Sequence, residues 1–206
     1  MTDPGPARPT GPDPATAPVA HHPDRPGSAD PAAPVDPQRF RDAMAAVCAP
    51  VTVVTTLVEG VPHGATVSSF TSLSLDPPLV TVALDRRSAL LRRIRTAERF
   101  GVNLLGHGQD DLALLFARRG SDRFGATAWH IDRGLPRLDG AAGWLRCDLH
   151  RTVEGGDHLL LFGLVTGVGR AELPPLVYAH RTFGTHSRYA ERPRPRITDQ
   201  IAACAR

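Results

Sequence analysis

The chain has 206 residues, is 41% hydrophobic and 22% charged, and carries a formal net charge of +3. This allows one ordinary domain with a sizeable core and is too mildly basic to argue for nucleic acid. All 24 basic residues are arginine, so Schiff-base lysine and phosphate-loop lysine chemistry is excluded. No apolar run approaches the roughly 18 residues of a membrane-spanning helix, and no cationic start precedes an apolar signal stretch. Cys48, Cys147 and Cys204 lie far apart with no CxxC pair. That spacing excludes a zinc ribbon or thioredoxin-like site, argues against a disulfide scaffold and makes a reducing cytoplasm the expected setting.

Eleven of the 20 prolines fall in residues 1–37, a segment with no aromatic residue. Residues 1–36 therefore read as a disordered, Pro-rich extension. The fold begins where Asp36 caps a helix with Pro37 at its first position. Phe40, Met44, Val47 and Cys48 share one face of that helix, and Pro50 ends it. Val51 to Val58 is β-branched almost throughout, and Glu59-Gly60 is its turn. His63 to Leu75 reads as one extended stretch with five hydroxyl residues from Ser68 to Ser74. Asp76-Pro77-Pro78 breaks it, and Leu79 to Leu84 is a strand. Ser88 caps a helix carrying Leu90, Leu91 and Ile94. Phe100 to Leu105 is again a strand. Asp110 to Arg119 is a short helix with Leu112, Leu115 and Phe116 as its apolar set and Gly120 as its stop.

Gly134 to Gly140 reads as loop. Trp144 to Val153 then turns at Glu154-Gly155-Gly156-Asp157 into His158 to Val168, the clearest hairpin in the chain. Pro174-Pro175 precedes a last strand, Leu176 to His180. Strands that return by hairpins rather than βαβ crossovers predict a mainly β, antiparallel barrel with a few peripheral α-helices. The domain is expected over 37–187, followed by an Arg-containing tail over 188–206 that is solvated or meets an acidic partner.

There is no GxGxxG: Gly106-His107-Gly108 continues with Gln and Asp, and Gly167-Val168-Gly169 opens no helix. There is no Walker loop, HExxH or GxSxG. The nine histidines show no metal-ligand spacing, so no metal is expected. Three segments could carry chemistry. The small and hydroxyl residues of HGATVSSFTSLSLDPPLVTVAL (63–84) suit either a flat ligand's close approach or a wet sheet face. Leu84-Asp85-Arg86-Arg87-Ser88 is a strand end opening a helix, which fits a phosphate site or an ordinary cap. Gly156-Asp157-His158 puts a histidine at a hairpin mouth, to orient a ligand or as a surface turn residue.

In this order the segments FRDAMAAVCAPVTVVTT (40–56), HGATVSSFTSLSLDPPLVTVALDRRS (63–88), RFGVNLL (99–105), DLALLFARRGSDRFG (111–125), GLPRLDGAAGWLRCDL (134–149), EGGDHLLLFGLV (154–165) and PLVYAHRTFGTH (175–186) resemble the flavin reductase-like family. The resemblance implies a Greek-key split β-barrel that binds FMN or FAD and takes hydride from NADH or NADPH. It also implies a homodimer with flavin near the subunit interface. Thr66, Val67, Ser68 and Ser69 would lie along the isoalloxazine and ribityl chain, with Ser72 and Ser74 close by. Asp85 to Ser88 would serve the phosphate end, Arg86 and Ser88 foremost. Asn103 would line the pocket, and Phe116, Arg123 and Phe124 would be flavin-proximal. His158 would orient the nicotinamide, and Tyr178 to Phe183 would close that side. Ser121-Asp122-Arg123-Phe124 carries arginine where the family often has another basic residue, which keeps phosphate attraction and changes its geometry.

The activity so implied is an NAD(P)H:flavin oxidoreductase supplying reduced flavin to a flavin-dependent monooxygenase. Two other readings stay open on the same fold. One is a flavin-bound tailoring oxidoreductase acting directly on a small organic substrate. The other is a non-catalytic flavin-binding protein.

Overall fold

The computed structural model describes residues 34–118, 120 and 122–186. The expectations for the Pro-rich extension and the C-terminal tail fall almost wholly outside them. Helix α1 spans Pro37–Ala45, and four residues after its end the first strand begins. In order these are β1 (Ala49–Pro50), β2 (Thr52–Val58), β3 (Val61–Val67), β4 (Thr71–Leu75) and β5 (Pro78–Asp85). Helix α2 (Ala89–Ala97), β6 (Arg99–Leu104) and helix α3 (Asp110–Ala117) follow. The chain then forms β7 (Trp129–Asp132), β8 (Leu135–Leu138), β9 (Gly143–Gly155), β10 (His158–Arg170), β11 (Leu176–Ala179) and β12 (Thr182–Thr185).

Seven strands form one antiparallel sheet in the order β3-β2-β6-β9-β10-β5-β4. Its two edges, β3 and β4, are consecutive in the chain. The link between them, Ser68-Ser69-Phe70, brings them together. Ser69 Oγ donates to Ala83 O (2.8 Å) and accepts from Ala83 N (3.0 Å), a side chain completing the ladder beside β5. Thus the sheet curls into a split barrel. The expected single extended stretch over 63–75 is two strands, because its hydroxyl residues turn the chain between sheet edges.

The barrel interior holds Val54, Val67, Val82, Leu84, Phe100, Val102, Cys147 and Leu161, and α2 adds Leu90, Leu91 and Ile94. Gly163 is needed there: a Cβ on it would stand 2.5 Å from Phe100 Cζ and 2.9 Å from Cys147 Cβ. Burial pushes the Cys147 thiol up to about 12, so it behaves as a small apolar core residue. A second cluster lies on the other face of β2, where Val51 and Val53 meet Leu105, Phe116, Leu138 and Leu176. Strand β2 is therefore covered on both faces, which is why its sequence is a near-continuous β-branched run rather than an alternation.

Five further expectations differ from the structure. Phe40, Met44 and Val47 of the first helical face are 57%, 49% and 55% exposed, because no element of the described chain packs over them. The expected loop over 134–140 contains β8, paired with β7, with Leu135 and Leu138 at 1% exposure. The last strand is a hairpin, β11 with β12, and β1 pairs with β11 where Pro50 was expected only to end a helix. In α3 the buried residues are Ala113 and Phe116, with Leu112 and Leu115 only half-buried. Between β9 and β10 the turn is tighter than four residues: Gly155 pairs with His158 around Gly156 (φ 63) and Asp157. Glycine at the first turn position matches the twist of the strands.

Candidate flavin site

A cleft of about 910 Å³ opens between the start of β3, the end of β5, the start of α2 and the segment after α3. That size suits a nucleotide-sized ligand. Local sequence builds its polar corner. Strand β5 ends at Asp85, Ser88 N and Asp85 O close a turn (2.9 Å), and Ser88 Oγ accepts from Leu91 N (3.4 Å). Ser88 is thus the N-cap of α2 and sits in extended backbone (φ −60, ψ 128). The first turn of a helix leaves backbone N–H groups without intrahelical partners, so this corner attracts anions.

Asp85 Oδ1 accepts from Arg87 N at 2.7 Å, and the Asp85 carboxylate pairs with the Arg87 guanidinium at 3.3 Å. These Arg87 contacts, with a smaller contribution from His158, hold the Asp85 carboxyl below the ordinary carboxylate range. The Arg87 side chain is 90% exposed at the cleft mouth. It provides a guanidinium that a phosphate can draw away from Asp85.

The opposite wall is aromatic and close. A Cβ on Gly64 would stand 2.9 Å from Phe116 Cε1 and 3.2 Å from Phe124 Cζ. Glycine therefore lets both rings pack against the β3 backbone. Phe116 and Phe124 meet edge-to-face at 5.2 Å, and Phe124 meets Trp129 at 5.2 Å. Arg123 bonds Gly64 O and Arg118 O, and its Nε is buried with no partner. Burial lowers the Arg123 pKa. This arginine ties the post-α3 segment to β3 before it meets any ligand.

Of the residues predicted from sequence, Thr66, Asp85, Ser88, Phe116, Arg123 and Phe124 line this cleft. Thr66 Oγ1 donates to Ala113 O at 2.5 Å, which holds α3 to β3. The other predicted residues do not line it. Val67 is 7% exposed and packs in the barrel interior. Ser68 and Ser72 are exposed, Ser74 is half-buried, and Ser69 is engaged with Ala83. Arg86 turns to the β9–β10 hairpin, where it meets Glu154 at 3.3 Å and its N–H donates to Asp157 O. Asn103 is fully buried: its amide donates to Val53 O (3.1 Å) and accepts from Leu138 N (2.7 Å), so it fastens β8 to the sheet. Tyr178 and Phe183 stack on each other at 5.0 Å within the β11–β12 hairpin.

His158 stands beside the cleft. It pairs with Asp85 across β10 and β5, and its Nδ1 meets Asp157 Oδ1 at 2.7 Å. That hydrogen bond holds the Asp157 carboxyl below the ordinary carboxylate range. His63, Gly64 and Arg87, which the sequence offered only within the longer segments 63–84 and 85–88, are cleft residues as well. Partial burial, then the nearby Arg93 charge, lower the His63 pKa. The HG pair before the hydroxyl run was the available signal: glycine permits close packing, and its neighbour shares that wall.

A capped helix terminus, an exposed arginine and an aromatic wall in one cleft fit a molecule with a flat ring and a phosphate. Comparison with known proteins points the same way. The flavin reductase like domain model matches residues 44–187. The chain is 42% identical over 166 residues to the NADH:riboflavin 5'-phosphate oxidoreductase of Streptomyces pristinaespiralis, covering 77% of this chain and 94% of that one. It is 40% identical over 152 residues to the "Probable flavin reductase" of Rhizobium meliloti (strain 1021), covering 73% of this chain but only 49% of that protein. Further relatives are named as reductase components or subunits of flavin-dependent monooxygenases. Among solved structures, the Streptomyces globisporus C-1027 NADH:FAD oxidoreductase in complex with NAD and FAD fragments superposes with a TM-score of 0.72 at 32% identity. That match covers 78% of this chain and 100% of the other. With the structural match and the family model in agreement, the chain belongs to the flavin reductase like domain family.

Proposed function

We propose that this protein is an NAD(P)H-dependent flavin reductase that binds FMN or FAD in the β3–α2 cleft and supplies reduced flavin to a partner monooxygenase. The observation that carries the reading is the β5–α2 corner, where Asp85, Arg87 and the Ser88-capped helix terminus open into a cleft of about 910 Å³ with an aromatic wall. A bound flavin supplies the hydride-accepting ring and a reduced nicotinamide nucleotide the donor. The protein's part is alignment of the two rings, so no acid–base pair is required. The N–H groups at the start of α2 and the Arg87 guanidinium hold the phosphate end. Phe116 and Phe124 keep the β3 wall apolar and exclude water. His158, fixed by Asp157, orients the nicotinamide from the hairpin side.

The partner state follows from the same reading. A second copy of the chain covers the exposed Phe40 and Met44 of α1 and Val47 just beyond it, and the homodimer carries flavin near its interface. Among the described residues no helix is long and apolar enough to cross a membrane. A cytoplasmic setting gives the enzyme its nicotinamide pool.

The test is NADH and NADPH oxidation by purified protein with FMN or FAD added, with and without air. The expected result is turnover that scales with free flavin. Flavin binding with no nicotinamide oxidation would overturn the reductase reading in favour of a binding protein. Oxidation that requires an organic substrate would favour the tailoring enzyme. Sedimentation of the same sample reads the dimer directly.

A further inference from the structure

A second cleft, of about 660 Å³, gathers Arg99, Arg133 and Arg146, with Glu98, Asp148, Leu149 and Thr166 among its other walls. Separate elements bring the three arginines together. Arg99 opens β6, and Arg146 lies on β9 opposite Gly101, so the two side chains share one face of the sheet. Arg133 sits in the two-residue turn between β7 and β8 at φ 46, ahead of Gly134 at φ 82. A left-handed conformation favours Gly, Asn or Asp, and here it holds an arginine. The turn docks on the sheet through Arg99 Nη2, which donates to Arg133 O at 2.7 Å. Arg146 Nη2 donates to Thr166 O at 2.9 Å.

Ion pairing in this cleft reaches only one of the three guanidiniums. Among the described residues, Asp132 alone comes within ion-pair distance of the three guanidiniums, at 3.9 Å from Arg146 Nη1. Asp132 is also shared with Arg137, at the shorter distance of 3.3 Å. Glu98 and Asp148 line the cleft without pairing to any of the three. Arg99 Nε is buried and has no hydrogen-bond partner. The Arg146 side chain is only 15% exposed, so water screens its charge poorly. Like charges held together with unused donors are what a planar or tetrahedral oxyanion satisfies.

We propose that Arg99, Arg133 and Arg146 form a binding site for one small oxyanion, carboxylate or phosphate, separate from the flavin cleft. Helix α2 stands between the two: Ser88 and Ala89 at its start line the flavin cleft, and Ala97 and Glu98 at its end line the arginine cleft. Nine helical residues span about 13 Å, more than a phosphate can bridge. Glu98 and Asp148 restrict the site to a small anion and disfavour a polyanion.

The test is calorimetric titration of the FMN-saturated protein with inorganic phosphate and, in a second arm, with succinate, at constant ionic strength against chloride. One site per chain is expected in at least one arm. Binding in the phosphate arm alone assigns a phosphate ligand, and binding in the succinate arm alone an organic carboxylate. Arg133→Gln, on an exposed turn, and Arg146→Gln should each weaken that binding tenfold or more and leave FMN affinity unchanged. Arg133→Gln decides the matter should Arg146→Gln not fold. No binding beyond chloride overturns the proposal, as does binding that both substitutions leave intact. Should FMN not bind, the same titration of the protein alone keeps this proposal distinguishable from the flavin reading.

Discussion

At the centre of the curved sheet, Thr52, Thr55, Thr56 and Asn103 are fully buried, and each polar side chain bonds a backbone group. At the β5–α2 corner, Asp85, Arg87 and Ser88 are also polar, but two of them are charged, they line a cleft, and the Arg87 guanidinium is open to solvent. The two regions differ in charge and in where their polar groups find partners. A buried polar group must find its hydrogen bond inside the protein, because leaving it unpaired is costly. A cleft polar group can leave capacity for a ligand. Residues of the first kind hold the barrel, and those of the second kind are available for chemistry.

The sharpest way to break that contrast is Asn103→Leu. It takes from Leu138 N its hydrogen-bond partner and leaves that N–H buried, so unfolding in urea should show a loss of about 1–3 kcal/mol. The protein that remains folded should keep its flavin affinity. A large loss of flavin affinity with little loss of stability would return Asn103 to the site.

Arg87→Gln and Arg86→Gln separate two adjacent arginines next. Removing the charge that faces the cleft should raise the flavin Kd about tenfold, equivalent to about 1.4 kcal/mol. Arg86 meets Glu154 instead, an exposed pair, so its replacement should shift stability by less than about 1 kcal/mol and leave flavin binding alone. Equal effects on flavin binding would show that register does not divide the two.

Ser88→Ala removes the α2 cap and should cost about 1 kcal/mol of stability, whereas Ser88→Gly should cost only a few tenths. Fluorescence titration should show weaker flavin binding in the alanine variant, since the first turn of α2 loses its anchor.

The smallest effect is a pH dependence. His63 has a lowered pKa in the folded chain, so the unfolded chain takes up the proton first as pH falls. Stability from neutral His63 is present above the ordinary imidazole range and declines as pH drops through it. The urea midpoint should therefore fall less between pH 7 and pH 5 in His63→Gln than in the unsubstituted protein. Parallel curves would remove His63 from the balance.

Much of the fold is legible residue by residue. The β-branched run of β2, the Gly-Gly-Asp turn before His158 and the Ser88 cap are signals within a few residues of the element they define. Strand β8 is not legible in this way. Its sequence, Leu-Pro-Arg-Leu, looks like loop, and it becomes a strand only by pairing with β7 and receiving Asn103. The α1 face misleads for a related reason. Phe40, Met44 and Val47 have helical spacing, but periodicity says that a face is apolar and not what covers it.

The candidate site divides along the same line. Asp85 and Ser88 are legible from the strand–turn–cap pattern, and Phe116 and Phe124 from the family resemblance. The serines after Val67 carry an apparent ligand signature, yet Ser69 completes a ladder, and Ser68 and Ser72 are exposed and do not line the cleft. Nothing local distinguishes Arg86 from Arg87. Only the approach of the β9–β10 hairpin gives Arg86 a carboxylate.

By itself, then, the sequence determined the strand-rich class, the hairpins, the helix caps and the family, because each depends on backbone preferences and hydrogen bonds between residues close in the chain. Tertiary structure alone decided which polar groups remain free for a ligand. Their partners lie on strands far away in sequence, and a side chain's availability is set by what is left after those distant bonds are made.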